Sequence, residues 1–207
     1  MHPSCQTLGL TIHAMLKLKL GPPPDNELVR LDTSWKAVSG YDTTPAGALR
    51  MLGVGFTCTL VTLGLWSALV PGALSLGWPS ILLTLVVVVA LVAVHEAIHL
   101  LAFPGGGVGN AVVGFWPAKG AAYVEYTLPV SRRRFVLVAL APVLFLSVGV
   151  LAVAAIGVRV PAPVQWASVL NAFGSGGDLL VVCLVLRQSS PSALVLGSGQ
   201  QLYTREA

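Results

Sequence analysis

Four apolar runs constrain this chain more than any other feature: residues 51–71, 80–103, 135–157 and 164–186 each reach the ~20 residues that a helix needs to cross a hydrocarbon core. The chain is 55% hydrophobic and only 10% charged, a balance that leaves too few polar side chains to cover a water-soluble globule. The sequence therefore predicts an all-α integral membrane protein, with four transmembrane helices and a short cytoplasmic loop or β-hairpin between the second and third. The boundaries that follow are an N-terminal tail over 1–50, a four-helix domain over 51–187 and a C-terminal tail over 188–207.

The formal charge of +4 would suit a nucleic-acid binder, but the basic residues are placed to orient membrane spans instead. Lys17, Lys19, Arg30, Lys36 and Arg50 precede the first run, Lys119, Arg132, Arg133 and Arg134 separate the second from the third, and Arg187 and Arg205 follow the fourth. Arg159 alone falls on the other side. Because lysine and arginine in short loops collect on the cytoplasmic side, both termini and the 104–134 loop are expected in the cytoplasm. The expected setting is the cell membrane, with the lipid bilayer and a peptide or membrane-protein substrate as partners and no nucleic acid. Lys17 and Lys19 follow only a short apolar stretch with no small-residue cleavage site after them, so no secretory signal is read, and Met1 and Met15 both stand as start positions. Cys5, Cys58 and Cys183 are odd in number and scattered, which excludes a disulfide framework or a paired-cysteine metal site.

Residues 1–50 include Pro22, Pro23, Pro24, Asp42 and Pro45 and read as a tail with little regular structure beyond one short strand. In the 104–134 loop, two β-prone stretches, 111–116 and 121–126, flank a Pro/Gly turn, so a hairpin competes with an amphipathic loop lying on the headgroups. The glycines at 105, 106, 107 and 109 lack the Lys-Ser/Thr of a phosphate-binding loop and any preceding strand. Pro142, inside the third run, should kink its helix.

Only two formally charged side chains lie within the four runs, Glu96 in the second and Asp178 in the fourth. An ionisable group in hydrocarbon costs a few kcal/mol or more, so those present usually face the bundle interior and have a partner. His95 and His99 flank Glu96 in the sequence His95-Glu96-Ala97-Ile98-His99. A spacing of four puts both imidazoles on one helical face, able to grip one cation with the glutamate beside them. Counted from the cytoplasmic ends of their spans, His95 and Asp178 lie at matched depth, eight and nine residues in. Asp178 is therefore the expected third ligand, with Glu125 of the loop as the alternative. Asn171, Ser175 and Asp178 share one helical face, which makes Asn171 and Ser175 candidates to support the ligands from behind.

These residues resemble a family of small multi-span bacterial membrane proteins catalogued as zincin peptidases, similar in logic to site-2 proteases. The resemblance covers roughly residues 45–187 and rests on the HExxH sequence at 95–99, the glycine- and aromatic-containing loop to Tyr126, Arg133-Arg134-Phe135 leading to Ala141-Pro142, and Asn171 with Ser175-Gly176-Gly177-Asp178. In site-2 proteases an aspartate of a later span completes the zinc site, which implies that role for Asp178. Here the surrounding sequence is Gly-Gly-Asp178-Leu, without the Asn-Pro of those enzymes.

The expected function is that of a membrane-embedded zinc metalloprotease acting on membrane or membrane-proximal peptides. Zn2+ would be held by His95, His99 and Asp178, with Glu96 as general base. Two other classes compete: a non-catalytic metal-binding membrane protein, and a cation or proton carrier using Glu96 and Asp178 as relay groups.

Overall fold

A computed structural model describes residues 17–41, 44–75 and 78–206. Cys5, Met15 and Asp42 lie outside these residues. Six α-helices and seven strands are present among them, so the all-α expectation is corrected: the fold is mixed, with two sheets packed at one end of a helical bundle.

The helices follow the apolar runs. α1, Pro45–Leu69, opens on Pro45 with Thr44 as its cap, the hydroxyl accepting from Gly47 N at 3.2 Å. α2, Trp78–Ala102, carries the HExxH sequence. No residue of its most apolar 18-residue stretch is buried within the protein. Leu82, Val86 and Val89 point outward at 66%, 66% and 76% exposure, a surface that hydrocarbon covers at no cost and water does not.

The third run winds as α3, Arg132–Pro142, a π-helical stretch Val143–Gly149 and α4, Val150–Ala155. The change of winding begins at Pro142, which has no amide hydrogen to continue the α-helical ladder. The fourth run is not one straight helix. It divides into α5, Ala162–Gly174, and α6, Gly176–Gln188, bent by 40° at Ser175. Three helices are long and apolar enough to cross a membrane, and the bent pair counted as one span makes four.

Gly176 sets how closely this broken helix meets α1. A Cβ there would lie 2.5 Å from Gly55 N and 2.8 Å from Met51 O, so the two backbones touch where any larger residue would separate them. At the far end of the bundle, Trp66 is fully buried against Leu151, Ala154 and Val169, and its indole N–H donates to Ser168 Oγ at 2.9 Å.

The sheets form from segments before, between and after the helices, whose backbone groups pair with one another at one end of the bundle. β1, Lys17–Leu20, pairs in parallel with β3, Ala111–Trp116, which pairs antiparallel with β4, Ala121–Tyr126. The 111–126 segment is thus a hairpin, turned at Gly120 with φ +60°. The second sheet has the order β2-β7-β6-β5, formed by Lys36–Ala37, Gln201–Arg205, Leu194–Ser198 and Val130–Ser131. Val38, Phe103, Tyr126, Val130, Val138, Val181, Val185, Val195 and Leu202 bury together, fastening both sheets to the ends of α2, α3 and α6. That shared core fixes β4 and β6 around the mouth of the cavity that contains the ionisable residues.

Candidate metal centre

His95 and His99 lie one turn apart on α2 and face α6, whose first turn supplies Asp178. The break at Ser175 makes this possible, because it starts a new helix inside the bundle, and a carboxylate in a first helical turn meets the positive end of the helix dipole. Asp178 Oδ2 is 3.3 Å from His95 Nε2, Asp178 Oδ1 is 3.5 Å from His99 Nε2, and the two Nε2 atoms are 3.1 Å apart.

These separations match a shared cation. Ligand atoms about 2.0–2.1 Å from a tetrahedral zinc stand about 3.3 Å from one another, close to the three distances observed. The three residues are the group among those described whose ligand atoms all lie within 4.8 Å of one another.

The hydrogen bonds behind the rings fix where the protons are. Asn171 Nδ2 donates to Pro142 O at 3.1 Å and to Ser147 Oγ at 2.9 Å, which turns Asn171 Oδ1 toward His95. An amide oxygen only accepts, so His95 Nδ1, 2.9 Å away, carries the hydrogen. His99 Nδ1 likewise donates to the carbonyl of Val138 at 2.9 Å. In neutral rings both Nε2 atoms are then bare lone pairs, aimed at each other beside a carboxylate. Asp178 Oδ2 is sealed from solvent and, despite its distance to His95, has no aligned hydrogen-bond donor. A cation between them would satisfy two lone pairs and the carboxylate oxygen at once, and this donor set of two imidazoles and a carboxylate suits zinc.

Glu96 lines the same cavity as the three candidate ligands, next to them in sequence but outside their cluster. Glu125 also lines the cavity without joining the cluster. Asn171 touches His95 directly. Ser175 stands at the helix break with Oγ fully buried and without a partner, and its backbone N–H, not its side chain, bonds to Asn171 O. Sequence reasoning missed two contributors: the carbonyl of Val138, and Tyr41, which enters the cavity from the N-terminal segment. Pro142, four residues after Val138, was the available signal for the first. Nothing in the sequence marks the second.

The cavity encloses about 320 Å³ and is bounded by α2 and α6 on one side and by β4, Gly197 and Gly199 on the other. β4 ends its sheet, with β3 as its one strand partner among the described residues.

A family model described as "Putative zincin peptidase" matches residues 87–194, just over half of the chain, from within α2 to the start of β6. The matched region contains His95, Glu96, His99 and Asp178. No curated protein and no solved structure matches the chain.

Proposed function

The chain belongs to the zincin peptidase family so defined, and from that premise we propose that it is a membrane-embedded zinc metalloprotease that cleaves peptides entering the cavity between α2 and β4. The observation that carries the reading is the convergence of His95 Nε2, His99 Nε2 and Asp178 within 3.1–3.5 Å, with both imidazole Nδ1–H groups committed behind them. His95, His99 and Asp178 would hold the metal. When bound, zinc supplies Lewis acidity and brings the pKa of a water toward neutrality.

Glu96 takes a proton from the attacking water and returns it to the leaving amine, so one carboxylate serves first as base and then as acid. Asn171 and Val138 hold the imidazoles in the tautomer that leaves Nε2 free, and thereby orient the site before substrate arrives. A peptide lies extended along the edge of β4, where backbone hydrogen bonding gives affinity with little demand on sequence. The lysine and arginine distribution supports placing this mouth at the cytoplasmic side, with both termini there.

The test is cleavage of a library of extended peptides by the full-length protein in lipid nanodiscs with zinc, beside Glu96→Gln. The reading predicts that the wild type cleaves and that Glu96→Gln is slower by about a hundredfold or more. Equal cleavage by both refutes the assigned mechanism, and a metal-loaded wild type that cleaves nothing returns the protein to the non-catalytic metal-binding class.

A further inference from the structure

The cavity has a second acidic pole that hydrolysis at the metal leaves unused. Glu125 projects from β4 into the same space as His95, Glu96 and Asp178. Its Oε2 is sealed from solvent without a hydrogen-bond partner, and among the described residues it has no ion pair. A buried carboxyl without a donor is unfavourable in any fold, and one kept beside a cleft points to a partner that arrives with the ligand.

The room for this carboxyl is built by a missing side chain opposite. Gly197 of β6 faces Glu125, and a Cβ there would lie 3.1 Å from Oε1 and 3.5 Å from Cγ. The proline-containing segment after β1 runs beside the cavity. Gly21 N donates to Phe115 O, Tyr123 Oη donates to Pro22 O, Gly199 N donates to Pro24 O, and Asn26 N donates to Ser198 Oγ. The segment therefore bridges the two sheets, with Pro23 on the cavity wall and Asp25 against Gly199.

The groups around Glu125 favour a cation. Asp25 adds a second negative charge, Tyr41 and Tyr123 are uncharged phenols, and the one opposing charge, Lys19 of β1, is exposed to solvent and makes no ion pair with Glu125, although its pull on the carboxyl exceeds the push of Asp25. Burial and Asp25 outweigh Lys19 and push the Glu125 carboxyl up to about 7. An arriving ammonium or guanidinium would reverse that balance and donate to the carboxylate.

We propose that Glu125 is a specificity-determining residue that receives a lysine or arginine side chain of the bound peptide. The proposal rests on the peptidase reading above for what enters the cavity. A peptide added along β4 directs every second side chain to the face that carries Glu125 and Tyr123, so one residue position, not the whole peptide, should show the preference.

The experiment uses the full-length chain carrying Glu96→Gln, in nanodiscs with zinc, so that binding is read without turnover. The probes are fluorescent apolar peptides with a single arginine moved through successive positions, beside glutamine counterparts. One arginine position should bind about tenfold tighter or more than glutamine. Adding Glu125→Gln should remove that preference, read as the ratio of arginine-peptide to glutamine-peptide affinity at that position. Gly197→Ala, which crowds the carboxyl from the other side, should weaken the same preference. Absence of an arginine preference at every position, or one that survives Glu125→Gln, overturns the proposal. Cleavage of the glutamine peptides by the wild type is scored separately, so this subsite can fail while the peptidase reading stands.

Discussion

His99 Nδ1 sits 2.9 Å from the carbonyl oxygen of Val138, the backbone acceptor that Pro142, four residues on, leaves without its usual helical donor. The next amide does not replace it, since Val143 N bonds to Leu140 O. A proline in the third apolar run thus frees an acceptor in that helix for a histidine on α2, and links the break in that run to the proton position on a candidate ligand.

Pro142→Ala should therefore restore an N–H that competes for Val138 O. The expected outcome is an apo protein at least as stable as the wild type, because an interior proline disfavours a helix by about 3 kcal/mol, together with zinc affinity lowered by about tenfold or more. Thermal unfolding and competitive zinc titration, run on the same preparation, check both halves. Unchanged zinc affinity contradicts the role given to Val138.

Asn171→Ala removes the acceptor that holds the His95 Nδ1 hydrogen, 2.9 Å away. Loss of such a supporting hydrogen bond costs about 10–100-fold in metal affinity. The same titration reads it, and a wild-type value would show that His95 is oriented by something else.

Much of this was legible in the sequence, and the reasons differ by element. The apolar lengths announced α1, α2 and the third run, because lipid imposes a minimum length that no other environment requires. Asp178 was legible as a partner for His95 because charge in hydrocarbon is rare and depth along a helix can be counted. The β3–β4 hairpin was legible too, as two β-prone stretches around a Pro/Gly turn, but the second sheet was not. β2 is two residues long and β6 and β7 lie beyond the last span, so their pairing depends on contacts across most of the chain: Lys36 with Thr204, and Ala37 with Tyr203. Such pairs have no local signal. The bend at Ser175 was also hidden, since the glycines around it read equally well as a close-packing surface, which Gly176 does provide against Gly55.

That close approach gives a steric prediction. Gly176→Ala would place a methyl 2.6 Å from Gly55 Cα, backbone that cannot rotate away. Overpacking of this kind destabilises by about 1–3 kcal/mol, and the melting temperature in detergent should fall. Gly177→Ala, whose Cβ would meet only Met51 Sδ at 3.9 Å, is the matched control and should change little.

Glu125 gives a pH dependence whose sign is fixed. Burial raises its carboxyl from 4.5 to about 7 in the folded protein. Across that window the native state holds a proton that the unfolded chain has released, so this group's contribution falls as pH rises and levels off above the folded value. Comparing melting temperatures of wild type and Glu125→Gln from about pH 5 to about pH 8 isolates it: the wild type should lose more stability over the range than the variant. Parallel curves would mean that Glu125 is not desolvated.

The central claim is that His95, His99 and Asp178 share one metal ion. Zinc-edge X-ray absorption on the full-length Glu96→Gln protein, loaded with one equivalent of zinc, tests it most directly. The account predicts nitrogen and oxygen scatterers at about 2.0–2.2 Å with the multiple-scattering signature of two imidazoles. It also predicts that Asp178→Ala loses most of the affinity. Sulfur scattering at about 2.3 Å from Cys58 or Cys183, a single imidazole, or full affinity in Asp178→Ala would contradict it.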